Sequence, residues 1–393
     1  MNDRSHRRRL LVAVFAVAYG TNVSTPLLLL YQDRLNLSAW TVTALFAAYP
    51  IGLIPALLVG GPASDIRGRK RVTLPFVFLS GVASVLLLAG ADTLWMLYFG
   101  RVLLGVVSGV VFAGMSAWIQ ELEVPGDPLG ASKLTSTALY AGFGLGPLFS
   151  GALGQWGPVP AVLPYLIHIA MVAVAVVLVV GSRETVTADA SRPLRANLGI
   201  PAHSRRTVLR VIVPTALAVF TFPSVAFGLF PVILRQFMEG IDLFVTGLVA
   251  ITATTATLYS RSLVGRMGPW RSAPLGTGLG AAGMALGTVA FATGWWWLLF
   301  PSAVLLGVAS GVGMTAGLRQ VDLVTDSATR GALAATFYVV AYGGMTTPVI
   351  VSTLARGPGF APVLTVVTLL AVGLTVALVR SVRPLVGARS AEV

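Results

Sequence analysis

Leu103-Leu104-Gly105-Val106-Val107-Ser108-Gly109-Val110 recurs 202 residues later as Leu305-Leu306-Gly307-Val308-Ala309-Ser310-Gly311-Val312. Two further matches keep nearly the same offset. Gly142 and Pro147 return as Gly343 and Pro348, and Thr21 and Ser24 return as Thr221 and Ser224. Chance supplies one such match among apolar sequences; three at offsets of 200 to 202 imply a duplication. Glycines four apart share a helix face and let a second helix reach backbone contact. The repeated unit is therefore expected to be a bundle of close-packed helices.

Working outward, apolar runs long enough to span a hydrocarbon core recur throughout the chain. They occupy about 10–31, 40–61, 72–91, 94–118, 133–154 and 160–181, then 208–231, 243–263, 273–293, 295–317, 331–355 and 361–380. That is six and six, with no strand-like alternation among them. Composition agrees: 56% of residues are hydrophobic, 10% are charged, and the mean hydropathy is +0.85. A soluble domain carries roughly 25% charge, so lipid is the expected solvent. Backbone groups in lipid must pair within their own segment, which makes the spans helical.

The expected fold is an all-α membrane protein: twelve transmembrane helices in two six-helix bundles related by pseudo-two-fold symmetry. Its parts are an N-terminal bundle at 1–181, a polar cytoplasmic linker at 182–207 and a C-terminal bundle at 208–393. With the N-terminus inside, 23 of the 27 Lys and Arg fall on the inner side. The outer loops hold only Arg34, Arg235 and Arg356, and Arg101 lies within a span. The positive-inside rule then places both termini in the cytoplasm of a multi-pass protein of the inner (plasma) membrane. Arg7, Arg8 and Arg9 followed by Leu10 to Val17 also read as a signal peptide, but the run continues to Leu30 and has a counterpart in the second half, so it is read as the first span.

The net charge of +13 is spread in short clusters between spans, not on one basic face, so no nucleic acid is expected. There is no cysteine, hence no disulfide framework or Cys-based metal site. Neither H-E-x-x-H nor G-x-S-x-G occurs, only His6, His168 and His203 are present, and no acidic metal cluster appears. No enzyme, cofactor or metal is expected. Gly278-Leu279-Gly280-Ala281-Ala282-Gly283 matches a dinucleotide loop formally, but it follows no strand and lies inside an apolar span. A receptor on such a scaffold is expected to add a soluble domain, for which these residues hold no stretch.

The loop after span two reads Gly61-Pro62-Ala63-Ser64-Asp65-Ile66-Arg67-Gly68-Arg69-Lys70-Arg71. It resembles the signature loop of the major facilitator superfamily, G-x-x-x-D-R-x-G-R-K, with Ile66 at a usually basic position and Arg67 beside it. Gly61 is expected to permit close helix approach, and Asp65 to hold the positive N-terminus of a facing helix, span eleven near Ser327 to Arg330 being the candidate. Arg69 and Lys70 are expected to pair with Glu121 or Glu123. The resemblance implies a conformational lock built from Gly61, Asp65, Arg67, Gly68, Arg69, Lys70, Glu121 and Glu123; the alternative is a plain positive-inside anchor. The second-half loop keeps Arg266, Gly268 and Arg271 but has Gly265 opposite Asp65.

Span four carries Arg101 with Gly105, Ser108, Gly109 and Phe112 on one face. R-x-x-x-G here resembles a second family motif, common in proton-coupled members. A cation within a span marks an interior site, or else it snorkels to the interface, which lies only about 10 Å away. Its counterpart is Ala303. Span five, Gly142-Phe143-Gly144-Leu145-Gly146-Pro147-Leu148-Phe149-Ser150-Gly151, resembles the antiporter motif G-x-x-x-G-P-x-x-G-G, with Ser150 replacing a glycine. The resemblance implies export. By themselves Gly142, Gly146, Pro147 and Gly151 show close packing and a kink.

Candidates for the substrate or proton pathway are Asn22, Asp33, Tyr49, Arg101, Tyr140, His168 and Ser224. Asn22 sits with Tyr19, Ser24 and Thr25 beside Pro26 and either contacts substrate or bonds another helix. His168 either carries a proton or packs. Tyr49, Tyr140, Tyr338 and Tyr342 either line an aromatic cavity or pack. Trp295, Trp296 and Trp297 read as an interfacial belt. All 14 acids fall in loops or near span ends. The expected function is proton-antiport efflux of small drug-like or amphipathic molecules by a monomer, with sugar or metabolite transport as the alternative.

Overall fold

A computed structural model describes residues 3–123, 130–189, 191 and 198–390, with side chains to Val386. The expected linker at 182–207 lies outside the described residues at 190 and 192–197, as do positions 1–2 and 391–393 of the termini. Among the described residues all regular structure is helical. The long runs are α1 (Asp3–Arg34), α2 (Ala39–Arg67), α3 (Arg69–Ala89), α4 (Leu94–Glu121), α5 (Ala131–Trp156) and α6 (Leu163–Val180). They continue as α7 (Ala202–Phe237), α8 (Asp242–Met267), α9 (Pro269–Thr293), α10 (Leu299–Val324), α11 (Arg330–Leu354) and α12 (Phe360–Ser390).

Eleven of these runs are long and apolar enough to cross a membrane. The exception is α5, whose 26 residues reach far enough but are diluted by glycine, serine and threonine. Only 17% of the most apolar stretch of α12 is buried, so Leu369 and Leu370 are left for lipid.

The chain divides into two compact units. The first comprises Met1–Ala196 and Gly240–Ile251; the second comprises Asn197–Glu239 and Thr252–Val393. In lipid the hydrophobic effect does little to join helices, so close van der Waals packing must. In the first unit α4 lies on α2 with backbones touching. A Cβ on Gly105 would fall 2.0 Å from the Tyr49 carbonyl oxygen, and one on Gly109 would fall 2.6 Å from the Leu57 nitrogen. The repeat does the same in the second unit, where a Cβ on Gly307 would meet the Ala253 oxygen at 2.2 Å and one on Gly311 the Thr257 oxygen at 2.2 Å. Thr257 Oγ1 also donates to the Gly307 carbonyl at 2.9 Å.

Elsewhere glycines seat rings. His168 covers Gly20, Phe222 covers Gly280, Phe230 covers Gly287 and Phe337 covers Gly317, each so closely that a Cβ there would lie within 2.2 Å of a ring atom.

Helix irregularities have local causes. Pro26 lies within α1, Pro50, Pro55 and Pro62 within α2, and Pro147 within α5. α7 contains a π stretch at Val208–Ile212 and breaks near Leu229, just before Pro231. α11 tightens into a 3₁₀ turn at Gly344–Thr346, before Pro348. Short polar side chains hold two of the starts. Ser38 Oγ accepts from the Thr41 amide at 3.2 Å, and an Asp326 carboxylate oxygen accepts from the Thr329 amide at 2.9 Å.

Candidate functional site

At the junction of α2 and α3 the chain turns through Gly68, whose φ of +98° is a conformation that disfavours any Cβ. The turn is clasped by charge. Arg69, nearly buried, forms an ion pair with Asp65 one turn back and with Glu121 at the end of α4, Nη2 to Oε1 2.6 Å. Its Nη1 donates to Ser64 Oγ at 2.7 Å. Charge-assisted bonds of this kind contribute about 1.5–3 kcal/mol each.

The stretch after α6 closes over this turn. Glu184 accepts from the backbone amides of Arg69 and Lys70 at 2.9 and 2.8 Å, so an anion sits on the positive N-terminus of α3. A Cβ on Gly68 would come within 2.9 Å of the Glu184 carboxylate, so the glycine also makes room for it. The Thr185 hydroxyl donates to Glu121. The Asp189 amide donates to the Ile66 carbonyl at 2.8 Å, and Lys70 Nζ donates to the Val180 carbonyl at 3.1 Å. Trp118 Nε1 donates to the Arg183 carbonyl at 2.9 Å.

The structure thus gathers Asp65, Gly68, Arg69, Lys70 and Glu121 into one cluster. Glu123 lies apart from the basic pair, and its Oε1 accepts from the Ala131 amide at the start of α5, 3.3 Å. Gly61 requires a correction. A Cβ there would meet only Ala113 at an ordinary 3.7 Å, whereas one on Gly60 would lie 2.7 Å from Val110 Cα. One residue is about 100° of helix rotation, and Gly60 is the one pressed against the α4 backbone. Arg67 is the last residue of α2.

Arg101, on α4, has no exposed surface. Its guanidinium is enclosed, not extended to an interface. It donates to the carbonyls of Thr21, Leu45 and Phe46 at 3.1, 3.2 and 3.2 Å and to Ser24 Oγ at 3.2 Å. The rings of Phe46 and Tyr49 lie 5.5 and 5.4 Å from its carbon. Nearby, the hydroxyls of Thr21 and Ser108 are 3.1 Å apart. The cation thus ties α4 to α1 and to α2 through neutral oxygens.

The other candidates are dispersed. His168 is buried, with Nδ1 2.6 Å from Ser84 Oγ and its ring stacked with Tyr19, centroids 6.4 Å apart. Asn22 is buried on α1 one residue from the Thr21 carbonyl that Arg101 uses. Asp33 is exposed at the end of α1, beside the Arg34–Asp92 ion pair of 2.7 Å. Tyr140 meets Phe143 edge-on at 6.3 Å. Ser224, in the second unit, donates to the Thr221 carbonyl at 2.8 Å.

In α5, a Cβ on Gly142 would meet Ala18 at 2.6 Å and one on Gly146 would meet the Tyr19 oxygen at 2.3 Å, both on α1. One on Gly151 would lie 2.5 Å from the Leu243 oxygen at the start of α8, and a Cβ on Gly247 would lie 2.5 Å from the Pro147 oxygen. α5 is thus in backbone contact with α1 through Gly146 and with the start of α8 around Pro147 and Gly151.

Sequence reasoning missed Glu184 and Thr185. The available signal was a carboxylate in an otherwise basic segment, one of two acids between 183 and 210.

Eleven apolar spans, a cation buried among helix carbonyls and a clasped turn at one helix junction define a multi-pass membrane protein. A sequence model of the Major Facilitator Superfamily matches residues 10–347, and the chain belongs to that superfamily. It is a multi-pass membrane transporter of small molecules and not an enzyme.

Among curated relatives, a tetracycline resistance protein of class C from Escherichia coli is 25% identical across 83% of this chain and 82% of its own length. A D-xylose transporter from Levilactobacillus brevis is 28% identical across 38% of this chain, and the match spans 34% of that protein. The multidrug resistance protein MdtG of Proteus mirabilis is 33% identical across 36% of each. Among solved structures, a POT family transporter in complex with 5-aminolevulinic acid superposes with a TM-score of 0.75 at 12% identity, covering 95% of both chains. The nucleoside transporter NupG gives 0.73 at 14%, covering 96% of this chain and 99% of that one. At such identities the structural matches speak for the fold alone.

Proposed function

We propose that this transporter is a proton-antiport exporter of small drug-like or amphipathic organic molecules, acting by alternating access in an inner (plasma) membrane with both termini cytoplasmic. The observation that carries export is the tetracycline resistance relative, similar across 83% of this chain. The close glycine contacts of α5 on either side of Pro147 support it. Arg101 is the residue through which a proton would be coupled: a cation fixed among neutral oxygens sets the local potential for any proton or charged substrate that approaches. Asn22, Asp33, Tyr49, Tyr140, His168 and Ser224 are the remaining pathway positions. Asp65, Arg67, Gly68, Arg69, Lys70 and Glu121 form the conformational lock, to which Glu184 is added. The working form is a monomer of two bundles, 1–181 and 208–393, joined by a cytoplasmic linker at 182–207.

A second reading, sugar or metabolite transport, draws on the D-xylose transporter and on a facilitated trehalose transporter from Bombyx mori, 30% identical across 33% of this chain. Inverted vesicles separate the two. Exporter activity gives protonophore-sensitive uptake of planar amphipathic drugs and none of sugars. Sugar uptake without drug uptake overturns the export reading.

A further inference from the structure

The helix Asp242–Met267 is continuous, yet its residues up to Ile251 belong to the first unit and the remainder to the second. What binds the first part to α5 is specific. The Gln155 carboxamide reaches over the start of α8, its oxygen accepting from the amides of Leu243 and Phe244 at 3.1 and 3.4 Å while its nitrogen donates to the Gly240 carbonyl at 2.5 Å. One side chain therefore satisfies two otherwise orphaned amides at a helix start and a carbonyl of the turn before it. Gly240 has φ +79°, which turns the chain into this grip. Below it the backbones touch at Gly151 and Leu243 and at Gly247 and Pro147, and the rings of Trp156 and Phe244 stand 4.8 Å apart.

A helix that serves two units in an alternating-access cycle must either bend at the boundary or let go of one of them. Ile251-Thr252-Ala253-Thr254-Thr255-Ala256 contains no proline, glycine or π turn, the usual sites of a kink. We propose that Gln155 is a reversible latch: in the conformation described its carboxamide fastens the first turns of α8 to α5, and the transport cycle proceeds through release of these three bonds. This rests on the alternating-access reading above, and it assigns Gln155 a positioning role without contact with substrate.

The chain has no cysteine, so a single introduced thiol is an unambiguous reporter. Leu243, only 7% exposed and seated against Gly154, is the place for it. In Leu243→Cys protein reconstituted in liposomes, reaction with a maleimide is measured without substrate. Adding Gln155→Leu is expected to raise the labelling rate about tenfold, the factor for about one net hydrogen bond. Gln155→Glu keeps both acceptors and loses the donation to Gly240, so its rate falls between. Thermal stability of Gln155→Glu stays near that of the parent. Equal labelling in all three backgrounds overturns the latch. Because no substrate is present, that result is independent of whether the drug-export reading holds. Faster labelling in Gln155→Leu with no drug flux in the parent sustains the latch and removes the export reading instead.

Discussion

The α2–α4 pair of the first unit and the α8–α10 pair of the second are built on one plan and used for different ends. Gly105 and Gly109 seat against Tyr49 and Leu57 as Gly307 and Gly311 seat against Ala253 and Thr257. Yet the first pair encloses Arg101 beside the Tyr49 ring, where the second has Ala303, itself buried, and Ala253. The loops that follow α2 and α8 diverge in the same sense. One is clasped by Arg69, Glu121 and Glu184. In the other the buried Gln320 donates to the Pro269 carbonyl at 2.9 Å, and a Cβ on Gly268 would meet nothing within 4 Å. Backbone contact is common to both halves; among the described residues the buried Arg101 and the Arg69–Glu121–Glu184 clasp belong to the first.

The steepest way to break this comparison is to fill the shared seats. Gly105→Leu and Gly307→Leu are each expected to cost about 3 kcal/mol or more, since the clash is with backbone that cannot rotate away. Loss of the monodisperse peak in detergent is the readout, and either variant melting like the parent would break the equivalence. α5 and α11 sharpen the point. A Cβ on Gly142 collides with Ala18, while one on Gly343 meets open space. Gly142→Ala should therefore destabilise, and Gly343→Ala should be neutral or gain up to about 1 kcal/mol from helix propensity.

Next in size is the cation that only one half carries. Arg101→Ala is expected to depress pH-dependent transport more than it lowers membrane abundance, and an unaltered pH profile would reduce Arg101 to a packing role. At the clasp, Asp65→Asn should slow flux with insertion intact. Glu184→Gln keeps the acceptor but removes the charge at the start of α3, which is worth about 0.3–1 kcal/mol at low salt. Its melting deficit should shrink as salt is added. A deficit indifferent to salt would mean that the charge plays no part.

The smallest effect lies at the start of α11. The hydroxyl and amide of Thr329 hold the Asp326 carboxyl below the usual carboxylate range. A lowered carboxylate stabilises above its unfolded pKa and loses that contribution as pH falls through its folded one. Asp326→Ala should therefore melt slightly earlier than the parent at neutral pH and identically in acid.

Much of this was readable in advance. Helix number, the repeated glycine seats and the loop Gly61 to Arg71 are properties of composition and spacing, which survive without knowing how any helix is turned. Rotation is what periodicity failed to fix. In a helix with protein on one side and lipid on the other, both faces are apolar, so Gly60 and Gly61 look alike until α4 is seen against one of them. Extents shifted for a related reason: α1 and α7 begin at Asp3 and Ala202, ahead of the apolar runs at 10 and 208, because helices continue past the hydrocarbon. Partners far apart in sequence were hidden altogether. Glu184 lies more than a hundred residues from Arg69, and Gln155 grips a turn 85 residues on. A single polar residue near a span end gives no sign of which amide it will reach.

Rings seated on glycine carry an evolutionary corollary. His168 and Gly20, or Phe222 and Gly280, divide one fixed volume between two positions. Relatives that trade either glycine for alanine should show a smaller residue opposite, and mismatched exchanges should be purged. Such positions diverge as couples, and grafting one member alone into a homologue transfers the clash without its remedy.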